Sequence, residues 1–192
     1  TMNINKFTQN SLQAVQNCEK IAADNGNQEL AQEHLLYALL TQDDSLILKL
    51  VEKMEIQTTH FKNRIEDYVS KKPKVQGGQR YISQSLNSAL LAAEDEAKRM
   101  GDEYVSVEHL FLAMIAKPNK EVNRPLYNYN AQSVNSAIIS LVKLFDKYEP
   151  IRELDAQNEY LKKRQRILNE AISYHLLQIP SKKEYDAINA KL

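Results

Sequence analysis

Four histidines and one cysteine are the side chains in this 192-residue chain most suited to metal binding or nucleophilic attack. Two of the histidines, His34 and His109, directly follow the glutamates Glu33 and Glu108. Neighbouring residues on a helix point about 100° apart, so neither pair can converge on one metal as histidines four residues apart do. We interpret both histidines as structural residues that brace a helix start, and we expect no metal or other cofactor.

No other group shows the pattern of a catalytic residue. Cys18 falls on an apolar helix face, which favours a small core residue over a nucleophile. The segment KKPKVQGGQR at residues 71–80 is basic and contains two adjacent glycines, but it lacks the GxxxxGK motif followed by Ser or Thr. Its composition is typical of a linker. We predict that the chain is not an enzyme and binds no nucleotide.

The composition narrows the classes of partner. With 25 basic and 25 acidic residues the formal net charge is zero, so no overall field attracts nucleic acid. The apolar runs fall far short of the roughly 20 residues that a membrane helix needs. We therefore expect no nucleic-acid or membrane partner. The single cysteine and the absence of a signal-peptide pattern predict a cytoplasmic protein.

The chain contains one unit twice, at an offset of 75 residues. This offset places Gly26 on Gly101, and the Glu-His-Leu triplet at 33–35 on the triplet at 108–110. Over the 34-residue window that contains them the two copies share nine identities without a gap, whereas average composition would give about two. An internal repeat therefore organises the fold.

Apolar residues at helical spacing predict four helices in each unit. Thr8 and Ser83 are predicted N-caps, and Gly26 and Gly101 are expected to end the first helix of each unit in a left-handed conformation. Pro125 is expected to break or shorten the third helix of the second unit. The predicted fold is all-α, with two pseudo-twofold-related four-helix repeats and a C-terminal helical extension.

We divide residues 4–147 into repeat 1 at about 4–70, a linker at 71–80 and repeat 2 at about 81–147. Residues 148–192 continue as a helical tail with an imperfect heptad-like stripe. That stripe predicts a tail that is packed as an appendage or self-associates. Its apolar members are Ile151, Leu154, Leu161, Leu168 and Ile172.

The repeated stretches FTQNSLQAVQNCEKIAADNG…EHLLYALL and YISQSLNSALLAAEDEAKRMGDEYVSVEHLFLAMI resemble the N-terminal double-repeat domain of the Clp family of ring ATPases, most closely the ClpB group. The resemblance covers about residues 4–145. It implies a domain that captures partly unfolded or aggregated proteins, or adaptor proteins, for an ATPase ring. No Walker motif occurs in the chain, and residues 148–192 do not match the family.

The resemblance also implies a protein-binding groove beside the first helix of each repeat. By matching position, Thr8, Asp102 and Glu108 are expected as polar residues at its edge, with Asp102 and Glu108 exposed, and Leu90 and Leu91 are candidates for its apolar floor. The same residues also fit structural roles, with Thr8 and Glu108 at helix starts and the leucines in the core.

Two functions remain open at this point. In the first, the chain is the protein-binding domain of a ClpB-like disaggregase, or a free-standing relative of that domain. In the second, it is a scaffold or granule-associated subunit that oligomerises through its helical tail, and the repeats are only structural.

Overall fold

The computed structural model describes residues 4–143, which form eight α-helices. The predicted all-α fold with two four-helix repeats is confirmed within this range. After a 3₁₀ turn at Ile4–Lys6, repeat 1 contains α1 (Gln9–Asp24), α2 (Gln32–Leu40), α3 (Leu46–Lys53) and α4 (Thr58–Ser70). Repeat 2 contains α5 (Gln84–Arg99), α6 (Val107–Ala116), α7 (Lys120–Leu126) and α8 (Ala131–Lys143).

The predicted helix boundaries of the first helix in each repeat are confirmed. The Thr8 hydroxyl accepts a hydrogen bond from the Ser11 amide at 3.2 Å, and the Ser83 hydroxyl accepts one from the Leu86 amide at 3.1 Å. Gly26 and Gly101 follow the ends of α1 and α5 with φ of 67° and 73°. Glycine adopts this left-handed conformation without the steric cost of a Cβ atom.

The core is centred on α2 and α6, which are buried nearly all round. α2 packs against every other helix of repeat 1 and against α5, α6 and α7 of repeat 2. A helix that is apolar on all sides must lie inside the protein, so the leucine-rich sequences of α2 and α6 account for their position. Their largest fully buried side chains are Leu35, Leu36, Leu39, Leu40, Leu110 and Phe111.

Two short parallel pairings join the repeats, and the sequence did not predict them. Strand β1 (Glu29–Leu30) pairs with β2 (Tyr81–Ile82), and Phe7 forms an isolated parallel bridge with Val105. The 75-residue offset relates Phe7 to Ile82 and Leu30 to Val105, so the pairings are equivalent. In each pairing, the segment just before the first helix of one repeat pairs with the segment just before the second helix of the other repeat.

Pro125 lies inside α7, one residue before its end. The helix is seven residues long, and Asn119 caps it by accepting a hydrogen bond from the Val122 amide at 2.9 Å. The proline therefore limits the length of the helix without breaking it. In residues 4–143, no helix has the length and apolar character to span a bilayer. The helix expected at 148–192, and self-association through it, fall outside the described residues.

Candidate functional site

His34 and His109 occupy equivalent positions at the starts of α2 and α6. The Nδ1 atom of His34 accepts a hydrogen bond from the Ala31 amide, and that of His109 accepts one from the Ser106 amide, both at 2.9 Å. Each ring thus satisfies a backbone amide that a helix N-terminus leaves without an intrahelical partner. Both side chains are buried. The prediction that these histidines brace helix starts is confirmed.

The contact with the backbone amide also determines which ring nitrogen of each histidine carries the hydrogen. Because an amide can only donate, we assign Nδ1 as unprotonated and Nε2 as the nitrogen that carries hydrogen. In repeat 1, Nε2 of His34 donates to Oδ1 of Asn27 at 2.9 Å. In repeat 2, Nε2 of His109 donates to Oδ2 of Asp102 at 2.7 Å. The two histidine rings therefore have the same geometry, but the partner of Nε2 is a neutral amide in repeat 1 and a carboxylate in repeat 2.

The exchange of an amide for a carboxylate moves the two histidine pKa values in opposite directions. Burial, and to a smaller extent the nearby Lys72, lower the pKa of His34 to about 4. Burial also lowers the pKa of His109, but the hydrogen bond with Asp102 is the largest of the interactions that together outweigh burial and raise this pKa above its usual value. His34 is therefore held neutral, whereas the His109 ring binds a second proton at a higher pH than His34 does.

The glutamates of the two triplets also differ in their partners. Glu33 is fully buried, and its carboxylate contacts Lys72 Nζ at 3.2 Å and Asn119 Nδ2 at 2.8 Å. Glu108 is equally buried, but among the described residues neither carboxylate oxygen has a hydrogen-bond partner. Burial raises the pKa of Glu108. Burial therefore favours the neutral form of the Glu108 carboxyl, whereas the Glu33 carboxylate has a cation, Lys72, beside it.

The pKa of His34 predicts a loss of stability in mild acid. Its folded value of about 4 lies below the ordinary 6.5, so between these values the unfolded chain binds a proton that the folded protein does not. The stabilisation is fully present above about pH 6.5 and is lost as the pH falls toward 4. We expect protonation of His34 to lower the free energy of unfolding by about 2 to 3 kcal/mol between pH 6.5 and pH 4. Urea denaturation at each pH measures it.

Three variants separate the effect of His34 from that of other titrating groups. His34→Gln should flatten the fall in unfolding free energy between pH 6.5 and pH 4, whereas His60→Gln, at an exposed position, should leave it unchanged. Asn27→Asp gives His34 the partner that His109 has, and should raise the His34 pKa in an NMR titration. An unaltered pH profile in His34→Gln would contradict the assignment.

The five residues expected at the groove lie in different environments. Thr8 is buried at the α1 N-cap, and Leu90 is a buried core residue. The Asp102 side chain is 3% exposed and is bonded to His109. Glu108 is buried at the start of α6. Only Leu91 reaches the surface, with 39% of its area exposed.

The expectation that Asp102 and Glu108 are exposed is therefore wrong. Each is drawn inward by the structure around a helix start, because the N-terminus of a buried helix needs polar side chains beside it. Leu90 is a core residue because it lies on the apolar face of α5, which packs toward the protein interior. Whether any of the five takes part in partner binding stays a prediction.

The exposed apolar surface lies mostly elsewhere, near the linker and β2. Sequence reasoning missed these residues, although Tyr81 and Ile82 directly follow the basic linker and break its polar character. Large apolar side chains in contact with water can mark an interaction surface when they cluster. In the described part of the chain they are Val75, Tyr81, Ile82, Leu91 and Tyr127.

Catalytic chemistry has little support in residues 4–143. Burial, together with the charges of Glu33 and Glu19, raises the pKa of Cys18 to about 12, so its thiol stays protonated. A thiol of this kind is a poor nucleophile. Within the same range no three His, Cys, Asp or Glu residues are grouped so that they could hold a metal ion. The buried rings of His34 and His109 are accounted for by their bonds to the helix starts.

Two helical repeats related by a pseudo-dyad, joined by short parallel pairings and capped by equivalent histidines, define a double-repeat helical domain. Residues 6–129 match the family of Clp repeat (R) N-terminal domains. The chain belongs to this family, and the resemblance inferred from the sequence is confirmed.

Among curated proteins, the chain is similar to the chaperone protein ClpB of Nitratidesulfovibrio vulgaris, with 38% identity over 122 residues. The match covers 61% of this chain but only 14% of that protein. The chain therefore corresponds to a small part of the ClpB relative.

Solved structures share the fold. The N-terminal domain of the ClpV1 ATPase from the E. coli EAEC Sci1 T6SS superposes with a TM-score of 0.63 at 18% identity, covering 72% of this chain and 87% of that one. A ClpV N-domain in complex with a VipB peptide has a TM-score of 0.58 at 14% identity, with the same two coverages of 72% and 87%.

Proposed function

We propose that this domain binds partly unfolded or aggregated proteins, or adaptor proteins, on behalf of a ClpB-like ATPase ring. The observation that carries the proposal is the match of residues 6–129 to Clp repeat N-terminal domains, together with the similarity to ClpB. A ClpV N-domain of the same fold has been solved with a bound VipB peptide. The two histidines fit a binding module, because each ring is buried and bonded to the start of a helix.

Leu91 is the proposed direct contact among the five residues inferred from the family resemblance. It lies on the solvent face of α5 with 39% of its area exposed. Because Leu90, Thr8, Asp102 and Glu108 are buried or bonded inside, their proposed contribution is to fix the shape of the α5 and α6 surfaces. An exposed leucine can bind apolar segments of many clients without a deep specific pocket.

Binding of a permanently unfolded protein tests the proposal. Reduced, carboxymethylated and fluorescently labelled α-lactalbumin should bind the wild-type domain, and Leu91→Glu should weaken binding by about fivefold or more because an apolar contact becomes a charge. Gln16→Glu is the matched control, since the 75-residue offset relates Gln16 to Leu91 and Gln16 is also exposed. Both variants should melt within a few degrees of wild type, as surface substitutions do. No saturable binding by wild type would overturn the proposal.

A further inference from the structure

The outer edge of β2 presents backbone groups to solvent. The amides of Tyr81 and Ser83 donate to the carbonyls of Gln28 and Leu30, at 3.0 and 2.9 Å. Backbone groups alternate in direction along a strand, so the amide and carbonyl of Ile82 face away from β1. Within the described residues, the sheet contains only β1 and β2. The far side of β2 is thus an open strand edge.

The side chains at this edge are apolar and exposed. Tyr81 is 52% exposed and Ile82 is 48% exposed. Val75 is also exposed. Its amide donates to the carbonyl of Gly26 at 2.9 Å, and Gly26 lies three residues before β1 in the chain. Proteins usually protect an open edge with charged residues, proline or a covering element. An edge strand formed by a tyrosine and an isoleucine instead offers both hydrogen bonds and apolar contact to an added strand.

An open cavity of about 370 Å³ lies directly beyond the end of β2. It is lined by polar residues of early α5 and by the loop after α6, namely Gln84, Ser85, Ser88, Lys117 and Pro118. Its walls are held from below by the buried Gln32, whose Nε2 donates to the carbonyls of Ser85 at 2.9 Å and Lys117 at 2.8 Å. Gln32 therefore ties together the two walls of this open surface depression.

Charge around this surface favours an acidic occupant. Arg80 is exposed immediately before β2, and the exposed Lys117 lines the cavity beyond it. The carboxylate on the neighbouring strand, that of Glu29, accepts a hydrogen bond from the Tyr81 hydroxyl at 3.4 Å. A peptide that follows β2 thus passes a cation at each end, which attracts acidic side chains and repels basic ones.

We propose that the edge of β2 binds an extended, acidic segment of a partner protein as an additional strand. The segment bonds to the outward backbone groups of Ile82, packs apolar side chains on Tyr81 and Ile82, and places a carboxylate beside Lys117. This inference rests on the proposed protein-binding function and assigns one surface and one ligand chemistry to it.

The test uses a labelled seven-residue peptide that alternates valine with glutamate. Ile82→Pro removes the outward amide but keeps the two amides that bond to β1, whereas Ile82→Val keeps all of them. Fluorescence anisotropy should show binding to wild type and Ile82→Val, and weakening by about tenfold or more in Ile82→Pro. A peptide that alternates valine with lysine should bind more weakly, and the double variant Arg80→Glu, Lys117→Glu should reverse this preference.

A second measurement covers the case in which Ile82→Pro perturbs folding. In the wild-type protein, saturating peptide should slow hydrogen exchange at the Ile82 amide. Equal affinity of Ile82→Pro and Ile82→Val, equal binding of the two peptides, or unchanged exchange at Ile82 would each overturn the proposal. Should wild type bind unfolded α-lactalbumin but not the acidic peptide, the strand-edge proposal fails while the proposed function stands; if it binds neither, both fail.

Discussion

Replacing Lys72 by methionine should lower the free energy of unfolding by about 4 kcal/mol, within the range for breaking a buried ion pair from one side. The Lys72 side chain is 18% exposed, and it contacts the fully buried carboxylate of Glu33 at 3.2 Å. Methionine fills similar space without charge, so Glu33 would keep only its contact with Asn119. Equilibrium denaturation in urea at neutral pH measures the loss.

The chain supplies a control next to this residue. Lys71 also forms an ion pair, with Asp67 at 2.8 Å, but both side chains are largely exposed. Lys71→Met should therefore leave the urea midpoint nearly unchanged, because solvent screens an exposed ion pair. In a Glu33→Gln background, Lys72→Met should cost far less, because no buried charge remains to be neutralised. If Lys72→Met lowered the free energy of unfolding equally in wild type and in Glu33→Gln, the unpaired charge of Glu33 would not be the cause of the loss.

The features that the sequence predicted are those encoded within one segment. Helix spans follow from apolar periodicity, and the positive φ of Gly26 follows from its place between two helical patterns. The histidines could be assigned because they recur at the 75-residue offset beside the same neighbours. Local signals of this kind are complete within about ten residues, and they appear twice.

The features that the sequence did not predict depend on contacts between distant segments. Strands of two residues, such as β1 and β2, are too short to show an alternating pattern. The partnership of Lys72 with Glu33 spans 39 residues, and nothing in the basic linker distinguishes this lysine from Lys71. The exposed edge predicted for Asp102 and Glu108 was wrong for the same reason, since burial of the α6 start is set by the packing of both repeats.

The least predictable of these features, the buried side chain of Gln32, connects the repeats. Its Nε2 bonds to the carbonyls of Ser85 and Lys117, and its Oε1 accepts from the Asn119 amide at 2.9 Å. The offset relates Gln32 to Val107, which is buried without any polar group in its side chain. The connection therefore belongs to one repeat only, and a search for repeated residues passes over it.

Gln32→Leu should accordingly destabilise the domain by about 3 kcal/mol, because it removes three hydrogen bonds that join the repeats, at about 1 kcal/mol each. Gln28→Leu is the control, since the Gln28 side chain makes one exposed hydrogen bond, to the Gln79 carbonyl at 3.3 Å. It should cost less than about 0.5 kcal/mol. Hydrogen exchange at the Asn119 amide adds a local readout. Its protection should drop in Gln32→Leu and persist in Gln28→Leu; retained protection in both would mean that Gln32 does not hold α2 to the start of α7.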